Sequence, residues 1–106
     1  MKTQAALAAA AAAASLALAA APAAADANLD FAKSKGCTAC HDVNKKLVGP
    51  PYADVAKKYK ADKEAPAKLV GSVTKGSMGK WGPIPMPPNK VSDDEAKKLV
   101  AWVLTL

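Results

Sequence analysis

At 106 residues, with two cysteines, one histidine and a 51% hydrophobic fraction swollen by an alanine-rich start, the chain has room for one small domain and no repeat. Fifteen basic residues, all lysine, against nine acids leave a formal charge of +6. With no arginine and no basic stripe interleaved with aromatics, that charge favours docking on an acidic protein over binding a nucleic acid.

Lys2 is followed by an apolar, mostly alanine run over residues 5–21 that ends in Pro22-Ala23-Ala24-Ala25. This pattern predicts a secretory signal peptide over residues 1–25, cleaved before Asp26, or before Asn28 if Ala25-Asp26-Ala27 is the site. An uncleaved membrane anchor is the rival reading. Alanine is only marginally apolar, however, and a span needs about 20 strongly apolar residues. Export, to the periplasm in a bacterium, is therefore expected. The remaining domain, residues 26–106, is near the size at which one hydrophobic core is marginal without a further stabilising element.

Residues 28–35 read as a first helix, with Asn28 as its cap, Leu29, Phe31 and Ala32 as apolar contacts, and Gly36 as its stop. Cys37-Thr38-Ala39-Cys40-His41 follows. Two thiols three positions apart with an imidazole directly after them match the attachment signature of a c-type haem, each thiol closing a thioether on a vinyl group and His41 lying under the iron. A redox-active disulfide, a structural bridge and half a zinc site are the alternatives. A structural zinc site needs four Cys or His ligands, and only Cys37, Cys40 and His41 exist; a thioredoxin-like site needs a strand–helix context that the sequence lacks.

The chain then turns irregular as far as Gly49-Pro50-Pro51. A ligating imidazole donates its other N–H to a fixed acceptor, for which the Pro50 carbonyl is placed, although Pro50 reads equally well as a turn proline. From residues 51 to 60, Tyr52, Val55, Ala56 and Tyr59 fall at i, i+3, i+4 and i+7 behind Pro51, which predicts a helix with the tyrosines in the core or against the haem. Another helix starts near Pro66, turns Leu69, Val70 and Val73 inward and stops at Gly76. Gly71 within it permits close approach of haem or of another helix.

Residues 76–90 carry no helical period and are dense in Gly and Pro. Pro83, Pro85, Pro87 and Pro88 stiffen this long loop, so it can hold a side chain in place at low entropic cost. Ser92-Asp93-Asp94-Glu95 is a capping box for a last helix with Ala96, Leu99, Val100 and Val103 on one face and Trp102 and Leu104 flanking. This helix is expected to reach the chain end and pack on the first. No strand is required, and the fold class is all-α.

The one histidine leaves Met78, Met86, a lysine or water for the far side of the iron. A lysine would have to lose its proton to bind; a thioether has none to lose. Met86, between Pro85 and Pro87, sits in a stiff setting, whereas Met78 lies beside Gly79 in a flexible one, so Met86 is selected as the distal ligand.

The segments CTACH, VGPPYADVAKKY, KGSMGKWGPIPMPPN and SDDEAKKLVAWVL together resemble the small class I cytochromes c of the bacterial cytochrome c-551/c-552 (cytochrome c8) family, over essentially all of residues 26–106. The GPIPMPPN stretch carries most of the specificity. The resemblance implies four to five short helices around one haem c joined to Cys37 and Cys40, with His41 and Met86 as axial ligands and Pro50 accepting from the histidine. It further implies that the Trp81 indole reaches a haem propionate and that Asn89 hydrogen-bonds near the methionine sulfur. Ser72 stands where other members carry a basic residue that pairs with the inner propionate.

With both axial positions filled, outer-sphere electron carriage follows, and not catalysis. The resemblance suggests a bc1-type donor and a nitrite reductase or terminal oxidase as acceptor. Lys35, Lys45, Lys46, Lys75 and Lys80 flank the motif or the ligand loop and are read as steering an acidic partner, or as a plain solvated surface. A periplasmic thiol–disulfide oxidoreductase and a gas-binding five-coordinate haem protein are the rival functions.

Overall fold

The structure, a computed structural model, describes residues 20–106. The proposed leader falls mostly on residues 1–19, outside the described residues. Four α-helices and one 3-10 turn follow in order: α1 (Ala20–Ser34), the turn Cys37–Ala39, α2 (Tyr52–Tyr59), α3 (Ala65–Lys75) and α4 (Asp93–Val103). Among the described residues the only β pairing is an isolated bridge between Ser77 and Met86.

The first helix departs from expectation. Asn28 does not cap it; α1 begins at Ala20 and runs through Asn28. Alanine has the highest helix propensity, and Pro22 falls in the first turn, where its missing N–H costs no internal bond. The helix ends as expected: Gly36 takes φ +79°, a conformation that favours glycine, and its N–H donates to Lys33 O at 3.0 Å.

Both α2 and α3 lie where the apolar periodicity places them, with Tyr52, Val55, Ala56 and Tyr59 all buried in α2. The capping box of α4 is complete. Glu95 N donates to Ser92 Oγ at 3.1 Å and Ser92 N to Glu95 Oε1 at 3.0 Å. Glu95 also meets Lys35 Nζ at 2.7 Å, tying the start of α4 to the end of α1; that ammonium, with the Ser92 N–H, holds its carboxyl below the usual carboxylate range. α4 stops at Val103, short of the chain end, and packs on α1, α2 and α3.

The core is thin. Its least exposed residues are alanines, Ala32 at 0%, Ala65 at 1% and Ala96 at 0%, where small side chains let the helices approach. Among the described residues no large side chain is wholly enclosed. Tyr52, Val55, Tyr59, Val100 and Val103 are buried core residues on one side and line an open apolar cavity on the other. The core and the cavity therefore share one apolar surface, and the small core is completed along this wall.

Gly71 does not mark a helix contact. A Cβ built there meets nothing within 4 Å, and the residue does not line the cavity. Gly71→Ala is therefore expected to stabilise the domain by about 0.5–1 kcal/mol through helix propensity alone, read as a rise in the thermal midpoint of the holoprotein; a fall would mean that something approaches this position.

Candidate functional site

One wall of the cavity is the Cys-Thr-Ala-Cys-His stretch. Gly36 turns the chain out of α1 into the 3-10 turn; Cys40 N and His41 N both donate to Cys37 O, at 3.2 and 3.0 Å. This coil brings Cys37, Cys40 and His41 to the cavity together. The His41 Nδ1 lies 2.8 Å from Pro50 O. A carbonyl only accepts, so Nδ1 carries the proton and Nε2 keeps its lone pair for a metal.

Three hydrogen bonds close the loop that delivers Pro50. Gly49 N donates to Cys40 O at 2.8 Å, and Asp42 Oδ2 accepts from Asn44 N and Lys45 N, each at 2.9 Å. Those two N–H groups, with the Lys45 charge, hold the Asp42 carboxyl below its ordinary range. Gly49 itself lies against the imidazole: a Cβ there would sit 2.7 Å from His41 Cε1. Sequence reasoning took Gly49 for a turn residue only, since the one available signal, its place just before Pro50-Pro51, says nothing about distance to the ring.

Met86 comes to the same cavity from the stiff loop. Ser77 N donates to Met86 O at 3.0 Å and Met86 N to Ser77 O at 2.8 Å, so the residue is paired in both directions across the loop. Gly76, at φ +92°, leaves no space beside that carbonyl; its Cβ would meet Met86 O at 2.8 Å. Asn89 secures the far end, with its backbone N and its Nδ2 donating to Val73 O at 3.0 and 3.1 Å and Nδ2 also reaching Pro87 O at 3.2 Å. The structure thus gives the Asn89 amide a role in tying the loop to α3. Met78 is 77% exposed and does not line the cavity.

At the cavity rim, Trp81 packs under Lys58, whose Nζ is 4.6 Å from the ring centroid. Lys46 and Lys80 are the charged residues among the lining. Ser72 lines it too, with Oγ bonded back to Lys68 O at 3.2 Å. Leu47, Val48 and Ile84 are exposed apolar side chains of the same lining, and the sequence reading had passed over them. Lys35 is held in its ion pair with Glu95 and is not part of the lining.

Cys37 and Cys40 are not joined in a disulfide. Burial pushes the Cys37 thiol up, partly offset by the Tyr52 hydroxyl beside it, and burial likewise raises the Tyr52 phenol. A disulfide oxidoreductase needs the opposite, a nucleophilic cysteine with a depressed pKa. The donor set suits a haem: two thiols on one coil, an imidazole with its tautomer set, a thioether on a braced loop, and apolar walls between them.

Comparison with known proteins agrees with this geometry. The family model described as "Cytochrome c" matches residues 10–106. Cytochrome c-552 of Hydrogenobacter thermophilus is 55% identical over 80 residues, covering 76% of this chain and 82% of its own. Cytochrome c-551 of Pseudomonas aeruginosa is 56% identical over 73 residues, 69% of this chain and 70% of its own. Among solved structures, wild-type Nitrosomonas europaea cytochrome c552 superposes with a TM-score of 0.72 at 51% identity, covering 74% of this chain and 98% of that one. With matches of this extent on a helical shell built around Cys37 and Cys40, the chain belongs to the cytochrome c family, as a small class I c-type cytochrome that carries one covalently attached haem c and transfers electrons without being an enzyme.

Proposed function

We propose that this cytochrome is an exported, periplasmic single-electron shuttle whose iron is held between His41 Nε2 and the Met86 sulfur, and which passes electrons from a bc1-type donor to a nitrite reductase or terminal oxidase. The observation that carries the ligation is the meeting of two independently braced groups on one cavity: His41 fixed through Pro50 O at 2.8 Å, and Met86 fixed through its paired backbone bonds to Ser77. When bound, the haem supplies reversible Fe(III)/Fe(II) exchange with no open position for a substrate.

The protein's own groups do the rest. Apolar walls keep water off the iron and disfavour the extra charge of the ferric form, and a soft thioether adds to that preference. A stiff ligand loop keeps the geometry alike in both oxidation states, so little reorganisation accompanies transfer. Trp81, at the rim, is assigned to a propionate, and Asn89 to the bracing of the Met86 loop.

Residues 1–25, with their alanine-rich apolar run and Ala23-Ala24-Ala25 end, support export. No helix among the described residues is long and apolar enough to cross a membrane. Lys46 and Lys80 at the rim, with Lys45 and Lys75 exposed nearby in sequence, support steering of an acidic partner. Stopped-flow oxidation of periplasm-purified holoprotein by each acceptor class, run across ionic strength, tests the reading. Rates that fall as salt rises are expected; salt-independent rates overturn the steering, and holoprotein retained in the cytoplasm overturns the export.

A further inference from the structure

His41 and Cys37 share a neighbour outside the attachment motif. The Tyr52 ring stacks on the imidazole with centroids 4.9 Å apart and planes inclined by 16°. Its phenol also lies close enough to Cys37 for the two groups to influence each other electrostatically. The backbone carries the same register: Tyr52 N donates to Asp42 O at 2.9 Å, directly after the histidine. Behind it, Trp102 of α4 meets the tyrosine edge-on at 5.6 Å and 74°.

The hydrogen bond from Nδ1 to Pro50 O fixes one point of the imidazole but leaves the ring free to pivot about that bond. A stacked neighbour removes the pivot, because tilting either ring would break the contact, and the edge of Trp102 keeps the tyrosine from following. The face of an aromatic ring is also electron-rich and attracts positive charge. Imidazole bound to ferric iron is more positive than imidazole bound to ferrous iron, so the stack favours the ferric state.

We propose that Tyr52 is a positioning residue for the proximal ligand: its ring sets the plane of the His41 imidazole, with Trp102 as its buttress, and lowers the reduction potential. This rests on the reading of His41 as an axial ligand. The contact with the imidazole is made by the ring and not by the hydroxyl, which separates the two halves of the side chain experimentally.

The test uses holoprotein carrying Tyr52→Phe or Tyr52→Leu, read by electron paramagnetic resonance of the ferric state, by reduction potential and by the far-red ferric absorption band. Tyr52→Leu is expected to move the g-values, which report the imidazole plane, and to raise the potential while the far-red band persists. Tyr52→Phe keeps the ring and is expected to match the native protein in all three. A leucine variant with native g-values and potential overturns the proposal. So does a phenylalanine variant displaced from native in g-values and potential, a result available even if the leucine protein does not accumulate. Failure of the ligation itself is distinguishable, because native protein would then lack the far-red band before any substitution at residue 52.

Discussion

Met86→Ala is expected to abolish the weak far-red band of the ferric protein, to open the reduced protein to carbon monoxide, and to drop the reduction potential by a sizeable share of the ~0.8 V over which axial ligands set haem potentials. The loop makes this outcome sharp. Met86 is presented by two backbone bonds to Ser77 and sits beside Gly76, where no Cβ fits, so its place in the loop is held from both sides. Met78, one residue past Ser77, is solvent-facing and lies outside the cavity lining. The alanine variant should still acquire haem, because attachment runs through Cys37 and Cys40. An intact far-red band in Met86→Ala would overturn the ligation, and loss of that band only in a Met78→Ala, Met86→Ala double variant would assign the sulfur to Met78 instead.

Gly49→Ala is the second large effect expected, and it arises from a contact that no motif announces. The added methyl would stand 2.7 Å from His41 Cε1, 3.0 Å from Nδ1 and 3.2 Å from Nε2. Relief requires the imidazole to tilt or the loop to withdraw, and the loop is held by Gly49 N to Cys40 O and by Pro50 O to the ring itself. Overpacking of this kind costs about 1–3 kcal/mol. In a domain of this size each kcal/mol moves the thermal midpoint by roughly 4–8 °C. The same displacement lengthens the bond from Nδ1 to Pro50 O, which makes the imidazole a poorer donor to ferric iron, so the potential should rise as stability falls. Thermal unfolding and potentiometry on one holoprotein sample check both. A variant as stable as the native protein, with an unchanged potential, would mean that the loop yields freely and does not set the ligand.

Gly71→Ala provides the contrast. One glycine to alanine change falls where the methyl has open space and the other where it meets the His41 imidazole, and the signs are expected to differ. Chain chemistry is identical in the two cases. Tertiary surroundings alone decide.

Much of this molecule is written along the chain. Helices α2, α3 and α4 follow from apolar spacing and from the Ser92 capping box, because those signals act within one or two turns and need no distant partner. Covalent haem chemistry follows from Cys37, Cys40 and His41 for the same reason. The start of α1 lies at Ala20 and not at Asn28, because the alanine propensity upstream outweighs a good cap residue. What no local pattern reveals is which residues from separate segments touch. Gly49 against His41, Gly76 against the Met86 carbonyl, Asn89 on Val73 O and Tyr52 between His41 and Trp102 all join positions well apart in sequence. Helicity and haem attachment through the cysteines thus follow from short-range patterns, whereas the rigidity with which the imidazole and the thioether are presented comes from contacts between segments that meet only in the folded chain.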